Sequence, residues 1–115
     1  MPGVQTLVPI MLNHVNNGKL NLERFVELTS YNPSELFKIK GKGKIAIGYD
    51  ADFTIVDMNK ERVITNDWIA SKCGWTPYNN MKVKGWPIMT IIRNNIVMKD
   101  DIVFDPLGEP MSFVR

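Results

Sequence analysis

The feature that most constrains this chain is a change of period. Up to Gly41 the apolar residues recur at helical spacing; from Lys44 onward the signal is β, in short β-branched runs bounded by turn residues. A chain of 115 residues that changes period once reads as an α+β assembly, helices first and a sheet after. Leu7, Val8, Met11, Leu12 and Val15 mark a first helix, with Thr6 as its cap, Pro9 in its first turn and Asn16-Asn17-Gly18 ending it. Asn21 is the expected cap of a second helix whose apolar face is Phe25, Val26 and Leu28. Asn32-Pro33-Ser34-Glu35 has the spacing of a capping box and predicts a third, short helix that buries Leu36 and Phe37. After Gly41-Lys42-Gly43-Lys44, Phe53–Val56 and Arg62–Thr65 are expected to pair across a turn at Asp57–Lys60. Residues 66–84 read as an irregular connection. Met89–Arg93 and Ile96–Lys99 then form a hairpin around an Asn94-Asn95 turn, since Asn tolerates positive φ. Residues 105–110 read as a surface loop. No internal repeat is present.

Length and composition exclude whole classes of function. The chain is too short for a complete (β/α)₈ barrel, which takes about 250 residues. Fourteen Lys and Arg against twelve Asp and Glu leave a net charge of +2, with none of the clustering that nucleic-acid binding uses. The first residues carry no basic leader, and the apolar run Leu7–Leu12 is too short to cross a bilayer. No nucleic acid and no membrane is therefore expected as a partner, and a cytoplasmic setting suits the one free thiol. A single cysteine and a single histidine exclude a disulfide framework and any His-x-His ligand pair.

The remaining chemistry-bearing residues are few. His14 has no local nucleophile or carboxylate to work with and reads as a helix-end histidine. Cys73 stands beside Lys72, but without a partner histidine it reads as a small packed hydrophobe and not as a nucleophile. Asp50 and Asp52 could share one side of a strand and bind a cation or do acid/base work; the plainer reading is a turn whose carboxylates accept backbone N–H groups. Gly41-Lys42-Gly43-Lys44 lacks the spacing of a phosphate loop. Trp68, Trp75 and Trp86 are expected to pack in a core or interface.

Larger motifs carry a resemblance. Lys42-Gly43-Lys44-Ile45, Gly48, Asp50-Ala51-Asp52-Phe53 and Val56-Asp57 resemble the segment where amidohydrolase-superfamily enzymes pass from their catalytic barrel into a small β-sandwich. Pro2-Gly3-Val4-Gln5-Thr6, Thr29-Ser30, Asn32-Pro33, Phe37, Gly74-Trp75-Thr76-Pro77 and Gly85-Trp86-Pro87 narrow the likeness to the C-terminal part of class I dihydroorotases; hydantoinases and allantoinases fit these motifs less well. Where that family commonly has turn glycines, this chain has Asn80 and Asn94-Asn95, residues that keep a positive-φ turn.

The resemblance implies that residues 1–40 are the last helices of a barrel and residues 41–115 the C-terminal part of the sandwich. It implies a cyclic amidohydrolase that interconverts dihydroorotate and carbamoyl-aspartate in pyrimidine biosynthesis through a binuclear zinc site. The zinc ligands of such enzymes lie upstream of every motif matched here, so no catalytic or metal-binding residue carries over. Pro2 and Gly3 come nearest to the substrate. The expected fragment is inactive by itself. It would partner the missing barrel portion or self-associate through Leu7, Met11, Phe25, Leu28 and Phe37. A non-enzymatic remnant or interaction module, and a hydantoinase- or allantoinase-like hydrolase, are the alternatives.

Overall fold

A computed structural model describes residues 3–105 and 110–114. The chain divides into two compact units, Met1–Leu20 with Val56–Pro87, and Asn21–Ile55 with Ile88–Arg115. The change of texture at 41–48 falls inside the second unit. Four strands form one sheet in the order β1–β2–β3–β4. Strands β1 (Phe53–Val63) and β2 (Lys82–Ile92) each cross the unit boundary, so each unit is described through its own part of them.

In the first unit α1 (Leu7–Asn16) occupies the span its period predicts. Its start differs. Thr6 is itself helical (φ −88°, ψ −14°) and caps no N–H. Its side chain is buried, and its hydroxyl donates instead to the Gly3 carbonyl at 3.2 Å, the acceptor within reach. Gly18, at φ +75°, ends the helix as expected.

Strand β1 corrects the predicted turn. Asp57–Lys60 lies in mid-strand, with exposed Asp57, Asn59 and Glu61 alternating with half-buried Met58, Lys60 and Arg62. Asp57 does make the local bond that suggests a turn, its Oδ1 accepting the Asn59 N–H at 2.9 Å. The wet face of an antiparallel strand tolerates such residues, so their polarity carries no turn information. Strand β2 starts at Lys82, seven residues before the Met89 at which the β-branched run begins, and it takes in the stretch 84–91 that the resemblance reads as a strand. At φ +109° a Cβ on Gly85 would lie 2.7 Å from Leu12 Cβ, so the glycine lets α1 approach the strand. The connection before β2 also holds a short 3₁₀ turn, Asn66–Trp68. The core is Ile64, Val83 and Trp86, with Ile10, Trp68, Tyr78 and Met81 packed around it. The rings of Trp68 and Trp86 lie 4.8 Å apart, and the Arg62 guanidinium sits 4.9 Å from the Trp86 ring. Trp75 is exposed, so the packing expected of three tryptophans is made by two.

In the second unit Asn21 caps α2 (Leu22–Val26), its Oδ1 accepting the Arg24 N–H at 2.7 Å. The predicted break at Asn32 is absent. A π-helical turn (Glu27–Tyr31) runs straight into α3 (Asn32–Leu36), and Asn32 is itself helical at φ −65°, ψ −43°. The Asn32 N–H reaches back five residues to the Glu27 carbonyl. Pro33 has no N–H to give and its ring would crowd the carbonyl four back; widening one turn lets the helix pass it. The capping-box spacing of Glu35 therefore makes no cap. Leu36 and Phe37, expected inside, stand 75% and 60% exposed, while Phe25 and Ser34 are buried.

Strands β2 and β3 (Asn95–Lys99) pair antiparallel, with Ile92 opposite Asn95. The turn residues are thus Arg93 (φ 46°) and Asn94 (φ 65°), one position earlier than predicted. Two successive positive φ angles match the right-handed twist of the strands. Asn95 lies in the strand and donates its Nδ2 to the Arg93 carbonyl at 3.0 Å. Asp100 and Asp101, at φ 50° and 66°, repeat the device and lead into β4 (Ile102–Val103), a strand too short for the sequence pattern to predict. Asn80 has the predicted positive φ, 69°. Ile39 bridges Phe113. Within the predicted surface loop Asp105 and Pro110 are exposed, and residues 106–109 lie outside the described residues.

Candidate functional site

Of the two substrate-proximal candidates, Pro2 lies outside the described residues. Gly3 is exposed and offers only backbone. Its carbonyl already accepts the Leu7 N–H at 3.2 Å and the Thr6 hydroxyl, which closes the turn into α1. The next residue but one fixes this turn to the rest of the unit. Gln5 donates its Nε2 to the Trp68 carbonyl at 2.9 Å and accepts the Ala70 N–H on its Oε1 at 2.8 Å. A primary amide has both a donor and an acceptor, so one side chain satisfies both halves of a bend.

Asparagines do the same elsewhere in this unit. Asn16 Nδ2 donates to the carbonyls of Met58 and Lys84, at 3.0 and 2.7 Å, and Asn13 Oδ1 accepts the Lys84 N–H at 3.0 Å. Asn66 takes the Thr76 N–H on its Oδ1 at 2.9 Å and gives its own N–H to Asn79 Oδ1 at 2.8 Å. That pair sets the loop carrying Gly74-Trp75-Thr76-Pro77. The sequence pattern singles out Asn16 only as part of a helix end, and none of the other three. Their signal, polar side chains inside or beside otherwise apolar elements, is legible only once the backbone they serve is known.

In the second unit Asp50 and Asp52 do converge, and on a cation this chain supplies itself. Lys42 Nζ lies 3.1 Å from Asp50 Oδ2 and bonds Asp52 Oδ2 as well. The second oxygen of Asp52 accepts the Arg93 N–H at 2.9 Å, and Asn94 N–H reaches the Ala51 carbonyl at 3.1 Å. The Lys42 hydrogen bond holds the Asp52 carboxyl below the usual carboxylate range, against burial, with the Arg93 N–H adding to it. Lys42 in turn is raised above its ordinary value, chiefly by Asp52 and further by Asp50. The turn reading of the pair thus describes Asp52, and an ion-pair clasp is added to it.

His14 lies at the end of α1 with its Nδ1 buried and unbonded. Cys73 is exposed, contrary to the packed reading, its Sγ 3.8 Å from the Trp75 carbonyl; a loop of turns around Gly74 leaves it nothing to pack on. Gly41 and Gly43, at φ 71° and 96°, form the turn expected of them.

These side chains do not fit a zinc centre. Among the described residues no three of His, Cys, Asp and Glu gather to hold a metal, and the one convergent carboxylate pair is taken by Lys42. Nor, among the described residues, is any helix long and apolar enough to cross a membrane.

The amidohydrolase family profile matches residues 4–97. The dihydroorotase of Pyrococcus furiosus is 48% identical over 95% of this chain and 26% of its own length. That of Methanosphaera stadtmanae is 42% identical over 90% and 24%. The chain thus spans about a quarter of the length of these relatives. Among solved structures, the L-hydantoinase of Arthrobacter aurescens superimposes with a TM-score of 0.85 at 33% identity, over 90% of this chain and 23% of that one.

Proposed function

The chain belongs to the amidohydrolase family, and from that premise we propose that it is the C-terminal part of a dihydroorotase-like cyclic amidohydrolase. The observation that carries this reading is the 48% identity to the Pyrococcus furiosus dihydroorotase across nearly the whole chain. Residues 1–40 would supply the last barrel helices and residues 41–115 the end of the sandwich. The whole enzyme would act in the cytoplasm, opening and closing the cyclic amide of dihydroorotate. Its zinc ligands would come from the polypeptide that corresponds to the other three quarters of the relatives. Zinc there would activate water and polarise the amide. This chain's own contribution would be placement. Gln5 and the Gly3 turn hold the start of α1 where Pro2 and Gly3 border the substrate.

The test is complementation. The chain is co-expressed with the Pyrococcus furiosus dihydroorotase lacking its equivalent portion, and turnover of dihydroorotate is followed. The expected result is no turnover by the chain alone above a heat-killed control, and turnover by the pair. Activity of the purified chain alone overturns the reading. A hydantoinase-like enzyme is the second reading, favoured by the TM-score of 0.85 to L-hydantoinase. Preference of the reconstituted pair for hydantoin over dihydroorotate would select it.

A further inference from the structure

Between Gly43 and Tyr49 the second unit carries a loop that is fixed at its base and bare at its tip. At the base, the backbone of Gly43 runs so close to α3 that a Cβ there would lie 2.5 Å from Ser34 Cβ. Ser34 Oγ donates to the Lys42 carbonyl at 2.7 Å, and the Asp50 N–H donates to the Gly41 carbonyl at 2.8 Å. Lys42 is clasped by Asp50 and Asp52, and the Tyr49 N–H closes back on the Ala46 carbonyl at 3.1 Å. At the tip, Ile45 and Ile47 are 85% and 105% exposed. Three lysines lie beside this loop. Lys38 and Lys40 line the same shallow depression as Gly48 and Tyr49, alongside Glu35, and the Lys44 ammonium sits 5.2 Å from the centre of the Tyr49 ring.

We infer that the loop 44–48 is a preformed plug for an apolar groove with an acidic rim, carried by the body that makes up the rest of the enzyme. Charge complementarity points to that occupant: an apolar tip with Lys38, Lys40 and Lys44 on its Tyr49 flank matches an apolar groove bordered by carboxylates. So does length, because the L-hydantoinase that shares this fold carries it as only 23% of its chain. A loop already closed by its own hydrogen bonds loses little freedom on docking, so more of the burial of two isoleucines appears as affinity. The inference rests on the chain being one part of a longer amidohydrolase.

The experiment measures the apparent dissociation constant between this chain and the Pyrococcus furiosus dihydroorotase body by sedimentation. It compares the chain as it stands with Ile45→Ala/Ile47→Ala and with Lys38→Glu/Lys40→Glu. Asn59→Ala, on the wet face of β1 in the first unit, serves as control, and melting of each chain alone reports folding. The plug predicts unchanged melting, at least about tenfold weaker binding for the isoleucine pair, weaker binding that has lost part of its salt dependence for the lysine pair, and no change for Asn59→Ala. Equal binding by the isoleucine pair and the unaltered chain overturns the plug while leaving the proposed function standing. Failure of the unaltered chain to bind the body overturns both. A dimer of this chain that Ile45→Ala/Ile47→Ala dissolves and the body does not displace identifies a second copy as the occupant and overturns the one inferred here.

Discussion

The two units of this chain are held by different means. The first has a core. Trp86, Ile64, Val83 and Leu12 are almost wholly buried, and amide side chains from Gln5, Asn13, Asn16 and Asn66 stitch backbone to backbone around them. The second is held by turns and a clasp. Its buried apolar residues are Phe25 and Val97 among those described. Of the large apolar residues that stand exposed, Val4, Leu7, Val63 and Trp75 belong to the first unit and all the others to the second. Burying apolar surface is the strongest force that favours folding. A unit that exposes most of its apolar side chains yet fixes its loops with ion pairs is shaped to be covered by something else.

The sharpest way to break that contrast is to compare a large apolar truncation in each unit. Trp86→Ala removes the centre of the first core and should cost about 3–5 kcal/mol, a large share of the roughly 5–15 kcal/mol that a domain of ordinary stability has. Phe37→Ala, at 60% exposure in the second unit, should cost under about 0.5 kcal/mol. Denaturant titration of both variants checks this; equal losses would mean the two units share one kind of stability.

The hairpin turn sharpens the contrast at finer scale. Asn94→Val places a β-branched residue at φ 65° and should destabilise by about 1–2 kcal/mol. Asn95→Val sits in β3, where β-branched residues fit, and loses one side-chain bond, for a change within about 0.5 kcal/mol. Melting curves of the pair decide it, and the reverse order would return the turn to Asn94-Asn95.

Much of the first unit's α1 was legible because period and terminating glycine agree. What was misread shares one cause: local chemistry that tertiary structure put to another use. Asn32-Pro33-Ser34-Glu35 has the letters of a helix start, yet a π turn carries the helix past the proline. Asp57 makes its turn-like bond inside a strand. The connection was read through to Lys84, when β2 already runs from Lys82 and the missing Cβ of Gly85 makes room for α1. Of the candidate site, the carboxylates Asp50 and Asp52 were visible but their partner was not. Lys42 is ten residues from Asp52 with a chain reversal between, and no periodicity encodes that. The amidohydrolase motifs were legible as letters because they are contiguous; the amide stitching of Gln5 and Asn16 spans more than forty residues and was not.

A pH-dependent effect belongs to the clasp. Asp52 has a lowered pKa, so its contribution is complete above the ordinary carboxylate range, about pH 4, and drains as pH falls through the lowered folded value. Lys42 has a raised pKa, so its contribution is complete below the ordinary ammonium value and drains as pH rises through the raised one. Asp52→Asn should therefore cost about 1 kcal/mol at neutral pH, allowing for solvent screening of a partly exposed pair, and should flatten the acid limb of the melting profile. An unchanged acid limb would show that the clasp does not hold the second unit.

Residue-resolved amide hydrogen exchange on the chain alone, and then with the dihydroorotase body of Pyrococcus furiosus added, tests the contrast between the units most directly. The prediction is that the Ile64 and Asn80 amides of the first unit, bonded to the Met81 and Ile64 carbonyls, are protected in the chain alone. The Ile39, Asp50 and Phe104 amides of the second, bonded to the Ser34, Gly41 and Val97 carbonyls, should exchange faster and gain protection only when the body is present. Equal protection of both sets in the chain alone, unchanged by the body, would contradict the account.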